Sequence, residues 1–224
     1  MTKVAIHQPN FLPWLGYFYK IHLCDVFIIL DDVQFVKRSY INRTNLTRPD
    51  NQQHLLSIPI KKHSQNIKIN EVLISNGLET QNIFETFTRF YKKKKESKII
   101  EEINNVIRDI RMYEKLIDFN VALLGILIKE WFPHKEVVFS SNYGFETQSE
   151  QKIIDLVKAV NGREYISGLG AKAYQSPENF ESNGINLNYV AYPQLAYHGG
   201  LKKLSDAYSV YDFIAYDEMN NPFK

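Results

Sequence analysis

The chain has one cysteine, Cys24, among its 224 residues. No disulfide can form within it, and a lone thiol fits a reducing compartment. Set amid apolar neighbours, Cys24 reads as a buried structural thiol rather than a nucleophile. Net charge is only +2, too little for a general nucleic-acid binder, so no nucleic-acid partner is expected. No apolar run approaches the roughly 18 residues of a membrane-spanning helix. The opening MTKVAIHQPN lacks both an uninterrupted apolar core and a small-residue cleavage site. These absences point to a cytoplasmic protein without a membrane span. The six histidines are scattered, and no metal-ligand cluster stands out. With no internal repeat or low-complexity linker, one domain is expected over residues 1–224.

Aromatic residues are plentiful, with 14 tyrosines and 14 phenylalanines. Most serve a core, and a few are free to stack on sugars or bases. Lys92 to Lys95 form the one basic block; with Glu96, Glu101 and Glu102 following, it reads as a solvated helix face.

Periodicity divides the chain into alternating elements. Lys3 to His7 reads as a strand, Leu15 to Leu23 as a short helix, and Asp25 to Phe35 as a stronger strand. Strand, helix, strand opens a βαβ unit and favours parallel pairing. His54 to Ile60 and Ile67 to Ile74 read as further strands. From Glu79 to about Trp131 the apolar spacing is helical, which predicts an insertion at about 79–131. Strands then return at Val137–Ser140, Glu164–Ser167 and Ile185–Ala191. Thr147-x-x-Glu150 has the form of a capping box before a helix, and Ser176-Pro177-Glu178 that of another helix start. Gly184 suits a helix stop, and Tyr208–Tyr216 a last helix. The fold class is α/β, a Rossmann-like, mostly parallel sheet with a helical insertion.

In such a sheet ligands gather beyond the carboxyl ends of the strands. Four polar groups fall there: His7-Gln8-Pro9, Asp31-Asp32 with Gln34, Ser140-Ser141-Asn142, and Ser167-Gly168-Leu169-Gly170. His7 suits a general base near neutral pH, or a ring satisfied by backbone at a strand end. Asp31 and Asp32, adjacent on a strand, point to opposite faces, so one faces a cleft and the other caps a turn. Lys37 to Arg43 follow directly, and Arg38 and Arg43 offer bidentate geometry to anions unless they are merely solvated. Small residues after the fourth strand allow backbone to approach an anion, with Lys172 and Tyr174 as polar additions. They complete neither a dinucleotide fingerprint nor a P-loop. His198-Gly199-Gly200 suits a mobile loop with a second histidine.

One stretch joins these features. In HQPNFLPWLGYFYKI, residues 7–21, Pro9 and Pro13 shape the crossing from strand to helix, and Gly16 permits close packing. Phe11, Phe18 and Tyr19 read as core, while Gln8, Trp14 and Tyr17 read as cleft.

The run Gln8-Pro9-x-Phe11-Leu12-Pro13-Trp14-x-Gly16-Tyr17-Phe18 resembles the WbqC-like family, as do Asp25-x-Phe27, Asp31-Asp32-Val33-Gln34-Phe35 and Asn42-Arg43. Tyr165-Ile166-Ser167-Gly168-x-Gly170-Ala171-Lys172-x-Tyr174, Gly184-Ile185, Tyr192-Pro193-Gln194 and Ser209-Val210-Tyr211-Asp212 continue the likeness in order. It is weakest over residues 79–131. The resemblance implies a role in making bacterial O-antigen or other surface polysaccharide, on nucleotide-activated sugars. It further suggests a transferase that places an acyl or aminoacyl group on a nucleotide-linked amino sugar. The implied partners are that sugar and an acyl or aminoacyl donor. His7, Asp31 or Asp32 would accept the amine proton. Gln8, Trp14, Tyr17, Gln34, Arg38, Asn42, Arg43, Ser167, Lys172 and Tyr174 would hold substrate. The family keeps Gln8-Pro9 but varies at the position of His7, which lowers the weight on that residue as a base. A looser similarity is to nucleotidylyltransferases of the HIGH type. Trp14-Leu15-Gly16-Tyr17 stands where their His-x-Gly-His falls, and both histidines are absent. Nucleotidyl transfer or another ATP-dependent activation, and a non-catalytic subunit of a polysaccharide-assembly complex, are the alternatives.

Overall fold

The structure is a computed structural model and describes residues 1–92, 97–197, 200, 202–203, 206–216 and 221–223. The basic block beyond Lys92 therefore lies outside the described residues, as do His198 and Gly199. The first apolar run forms β1 (Lys3–His7), followed by α1 (Leu15–Leu23) and β2 (Val26–Ile29). A hairpin of β3 (Arg43–Thr47) and β4 (Gln53–Ser57) comes next. Three helices then precede the rest of the sheet: α2 (Leu78–Tyr91), α3 (Lys98–Arg108) and α4 (Leu116–Trp131). After them run β5 (Glu136–Phe139), α5 (Ser149–Ala159), β6 (Glu164–Gly168), α6 (Pro177–Ser182) and β7 (Asn186–Val190). A short pair, β8 (Ala196–Tyr197) and β9 (Lys202–Lys203), leads to α7 (Val210–Tyr216).

Five strands make one parallel sheet in the order β5-β2-β1-β6-β7. The chain thus builds outward from β1 on one side, then returns to build on the other, which is the Rossmann-like order. Strand alternation sorts the core. Val4, Ile6, Val26 and Ile28 face α5 and α6, in a cluster with Ile154, Leu156, Val157 and Phe180. Ala5, Phe27 and Ile29 join the larger cluster with α1, α2, α3, α4 and α7. Apolar burial on both faces explains why these strands read as nearly continuous hydrophobic runs.

Two expected strands change form. Asp25 to Phe35 is strand only over Val26–Ile29, because the chain leaves the sheet once Leu30 N has bonded to His7 O (2.8 Å). Ile67 to Ile74 is no strand; it carries a 3₁₀ turn at Ile69–Glu71. Ile69 N and Asn70 N donate to the Val33 and Asp31 carbonyls (3.0 and 2.9 Å), which pulls this segment across the loop after β2. The Thr147-x-x-Glu150 box also fails to form. Thr147 Oγ1 donates to Asp155 instead, and Glu150 accepts from Ser176 N and Asn179 Nδ2. Ser176 does cap α6, accepting from Asn179 N.

The stretch after β1 is fixed from three directions. Leu12 adopts φ +38°, a left-handed conformation costly for a branched side chain, of order 1–3 kcal/mol. Its carbonyl accepts from Thr44 Oγ1 (2.9 Å) and Ser209 Oγ (3.1 Å), and Val210 N donates to Pro13 O (2.8 Å). Buried Asn120 of α4 donates to Pro9 O (2.8 Å) and Ile41 O (2.7 Å). Residues far apart in sequence, 42–47 and 209–212, thus meet around this corner. Asp212, fully buried, accepts from Thr47 N, Thr47 Oγ1 and Tyr91 OH and so ties α7 to β3 and α2.

Candidate functional site

The order of the sheet reverses between β1 and β6, and there the two strands part. Their pairing ends at Ala5 and Ile166, whereas β1 stays with β2 to His7 and β6 with β7 to Gly168. Beyond the last shared pair a cavity of ≈ 580 Å³ opens, with Ile6, His7, Lys20, Tyr165 and Ser167 in its wall. Ligands of Rossmann-like sheets bind at this kind of switch point. The cavity shares Gln8, Leu30, Ile153 and Gln175 with a second of ≈ 440 Å³. That one in turn shares Val33, Gln34 and Lys152 with a crevice of ≈ 1030 Å³ lying over the ends of β2 and β5. The three form one cleft across the carboxyl edge of the sheet.

At the wide end stands a compact polar centre. Lys152 Nζ lies 2.7 Å from Asp32 Oδ2, with the two side chains only 6% and 9% exposed. The same ammonium donates to Phe145 O (2.9 Å). Ser140 Oγ is placed between the two aspartates, 3.0 Å from Asp31 Oδ1 and 2.5 Å from Asp32 Oδ1. The opposite-face expectation for Asp31 and Asp32 is therefore wrong: they sit past the strand, where the loop turns both carboxylates toward one hydroxyl. Asp31 is buried, accepts also from Ser141 N (2.9 Å) and Asn70 Nδ2 (3.3 Å), and holds the loops together. Asp32, not Asp31, lines the crevice.

At the narrow end His7 Nδ1 donates to Gln8 O (3.2 Å) if that nitrogen carries the proton, which leaves Nε2 with the lone pair. The ring packs against Tyr17 at 4.6 Å. Burial, reinforced by the charge of Lys20 and opposed by the Gln8 carbonyl, lowers the imidazole pKa to about 3. His7 is thus neutral at pH 7 and a weak base. Tyr17 is a correction: fully buried, it packs on Phe18 and Phe27 and donates its hydroxyl to Gln8 O (3.2 Å), behind the cleft wall. Trp14 does line the cavity, with its ring 4.8 Å from that of Tyr192. Gly16 makes room for it, because a Cβ there would run into the six-membered ring of the indole. Cys24 is buried, and burial pushes its thiol up to about 12.

The other candidates divide. Gln8 and Ser167 line the narrow end, with Ser167 Oγ donating to Gln175 Oε1 (2.8 Å). Tyr174 lines the middle and Gln34 both the middle and the wide end. Lys172 is exposed and lines none of the three cavities. Arg38 and Asn42 lie in a separate cavity of ≈ 280 Å³ with Lys37, Lys61, Lys62 and His63. Arg43 opens β3 in the hairpin, so the two arginines are not brought together. Sequence reasoning missed Lys20 and Lys152. Their signal was present: each stands on the apolar stripe of its helix, Lys20 three residues after Tyr17 and Lys152 four before Leu156. A buried lysine there requires a partner or a ligand.

Among the described residues no helix is long and apolar enough to cross a membrane. No solved structure matches the chain. A protein of Mycobacterium tuberculosis (strain ATCC 25618 / H37Rv), "Uncharacterized protein Rv1507c", is 27% identical over 196 residues, covering 86% of this chain and 83% of that protein. The model of the WbqC-like protein family matches residues 8–222, from the corner after β1 to beyond α7. The chain belongs to the WbqC-like protein family.

Proposed function

We propose that the cleft binds a nucleotide-linked amino sugar and joins its amine to an acyl or aminoacyl group, as a step in building a bacterial surface polysaccharide. The reading is supported chiefly by the Asp32–Lys152–Ser140 centre, an acid–base group set at the open carboxyl edge of a Rossmann-like sheet. Asp32 is the proton acceptor. As the amine nitrogen bonds to the acyl carbon and the donor's leaving group departs with its electron pair, the nitrogen loses a proton to the Asp32 carboxylate. Lys152 keeps that carboxylate in place and presents a positive charge to the oxyanion that develops on the carbonyl. His7, neutral and in the wall of the cavity beside Gln8, shapes the narrow end. The aromatic walls of Trp14 and Tyr192 take the nucleotide base or the sugar.

The test is incubation with a panel of nucleotide-linked amino sugars and acyl or aminoacyl donors, read by mass spectrometry. The expected product carries the mass of the acyl group. Asp32→Asn, verified as folded by circular dichroism, is expected to lose at least a hundredfold in rate, the usual scale for a positioned base. Unchanged turnover in that variant rejects Asp32 as the acceptor, and no product with a broad panel rejects the transfer.

A further inference from the structure

The buried Lys20 remains outside the centre just described. It is 4% exposed and its Nζ donates to Ile6 O at 3.3 Å. That carbonyl lies one residue past the last β1–β6 pair, so the ammonium stands where the ladder between the strands has stopped. A lysine ammonium has three N–H donors, and the single hydrogen bond to Ile6 leaves two for the cavity that Lys20 lines. Among the described residues, no aspartate or glutamate lines that cavity. Cys24, the neighbour that would balance the charge as a thiolate, is kept in its thiol form by burial. A positive charge this deep without a carboxylate is costly, and an anionic ligand group relieves the cost.

We infer that Lys20 is the seat of a phosphate group, namely the phosphate of a nucleotide whose ring system packs against the Trp14–Tyr192 pair. An ammonium is a point charge that suits phosphate, whereas planar carboxylates favour the guanidinium fork. Volume agrees, since ≈ 580 Å³ lies in the range of small-molecule sites. Ser167 and the glycines at 168 and 170 keep the opposite wall small. A Cβ at position 170 would meet nothing within 4 Å, so the backbone there is open to a ligand. Burial also lowers the Lys20 pKa to about 8, which leaves the amine mostly charged at pH 7 and unusually reactive above pH 8. The identity of the ligand rests on the proposed function; the anion seat does not.

The test uses the intact chain with UDP, UMP, pyrophosphate, uridine and acetate as probes. Reductive methylation of Lys20, followed by peptide mass mapping, reports directly on the amine in the wild-type protein. UDP and pyrophosphate are expected to slow its labelling at least tenfold, and uridine and acetate to leave it unchanged. Lys20→Met keeps the stem and removes the charge; its affinity for UDP by calorimetry is expected to fall roughly tenfold or more, the scale of a charged hydrogen bond. Should the variant fail to fold, the labelling still decides. Equal labelling with and without UDP and pyrophosphate overturns the inference, as does wild-type UDP affinity in a folded Lys20→Met protein. Protection by acetate overturns the choice of phosphate. Lys20-dependent UDP binding without any transfer product leaves the seat standing and removes only the proposed reaction.

Discussion

Replacing Lys152 by Met isolates the pair that anchors the wide end of the cleft. The methionine keeps most of the stem in its place on α5 and deletes only the ammonium. Asp32 then loses a partner at 2.7 Å while 9% exposed. At an effective dielectric of 20, charges at that distance attract by roughly 6 kcal/mol before desolvation is counted. Stripping one partner from a fully buried pair costs about 3–5 kcal/mol. Here Asp32 keeps the Ser140 hydroxyl and borders a crevice of ≈ 1030 Å³ that admits water, which reduces the loss. A net destabilisation of about 2–3 kcal/mol follows, or roughly 4–12 °C in Tm for a chain of this length. Urea unfolding followed by circular dichroism measures it in Lys152→Met, Asp32→Asn and the double variant. The single variants each strand one polar group, so the double variant is expected to recover about 1–3 kcal/mol relative to their sum. A coupling below about 0.5 kcal/mol would show a solvated surface pair, and the assignment of this centre as a desolvated acid–base group would fall.

Three further perturbations probe the corner after β1. Gly16→Ala gains about 1 kcal/mol of helix propensity but displaces the Trp14 indole from its contact with Tyr192. It is expected to red-shift Trp14 fluorescence, best read in a Trp131→Phe background, and an unshifted spectrum would refute the account of the glycine. Asn120→Ala strands the carbonyls of Pro9 and Ile41 in the core; a loss of about 2–4 kcal/mol in urea unfolding is expected, and less than 1 would mean that the corner is held elsewhere. His7 takes up its proton near pH 6.5 when unfolded but only near pH 3 when folded. The unfolded state therefore binds more protons between those values, and stability falls as pH drops from 6.5 toward 3, by up to about 1.4 kcal/mol per pH unit from this group. In His7→Gln the decline over pH 7 to 5 should be shallower; parallel curves would contradict the burial of the ring.

Local pattern carried the elements whose residues answer to their own neighbours. β1 and α1 have the bounds the sequence suggests, because alternation and helical spacing act within a few residues. The helical block was legible for the same reason, and its described residues form the three helices α2, α3 and α4. Ile67–Ile74 has strand alternation and yet turns, because the backbone donors of Ile69 and Asn70 are taken by Val33 and Asp31 more than thirty residues away. Tyr17 illustrates the opposite limit. Its aromatic ring and hydroxyl suit a cleft as well as a core, and only the packing of Phe18, Phe27 and His7 around it decides for the core.

By itself the sequence determined the class of fold, the strand ends where polar residues gather, and the family. Those follow from short-range periodicity and from motifs that survive as strings. Tertiary structure decided which of those residues share a space. It turned two adjacent aspartates toward one serine, put Arg38 and Arg43 in separate places, and brought Lys152 of α5 onto Asp32 across 120 residues of chain. It also left Lys20 under a strand end with hydrogen-bonding capacity to spare. Charge pairing and desolvation depend on distance in space, and sequence spacing does not encode that distance.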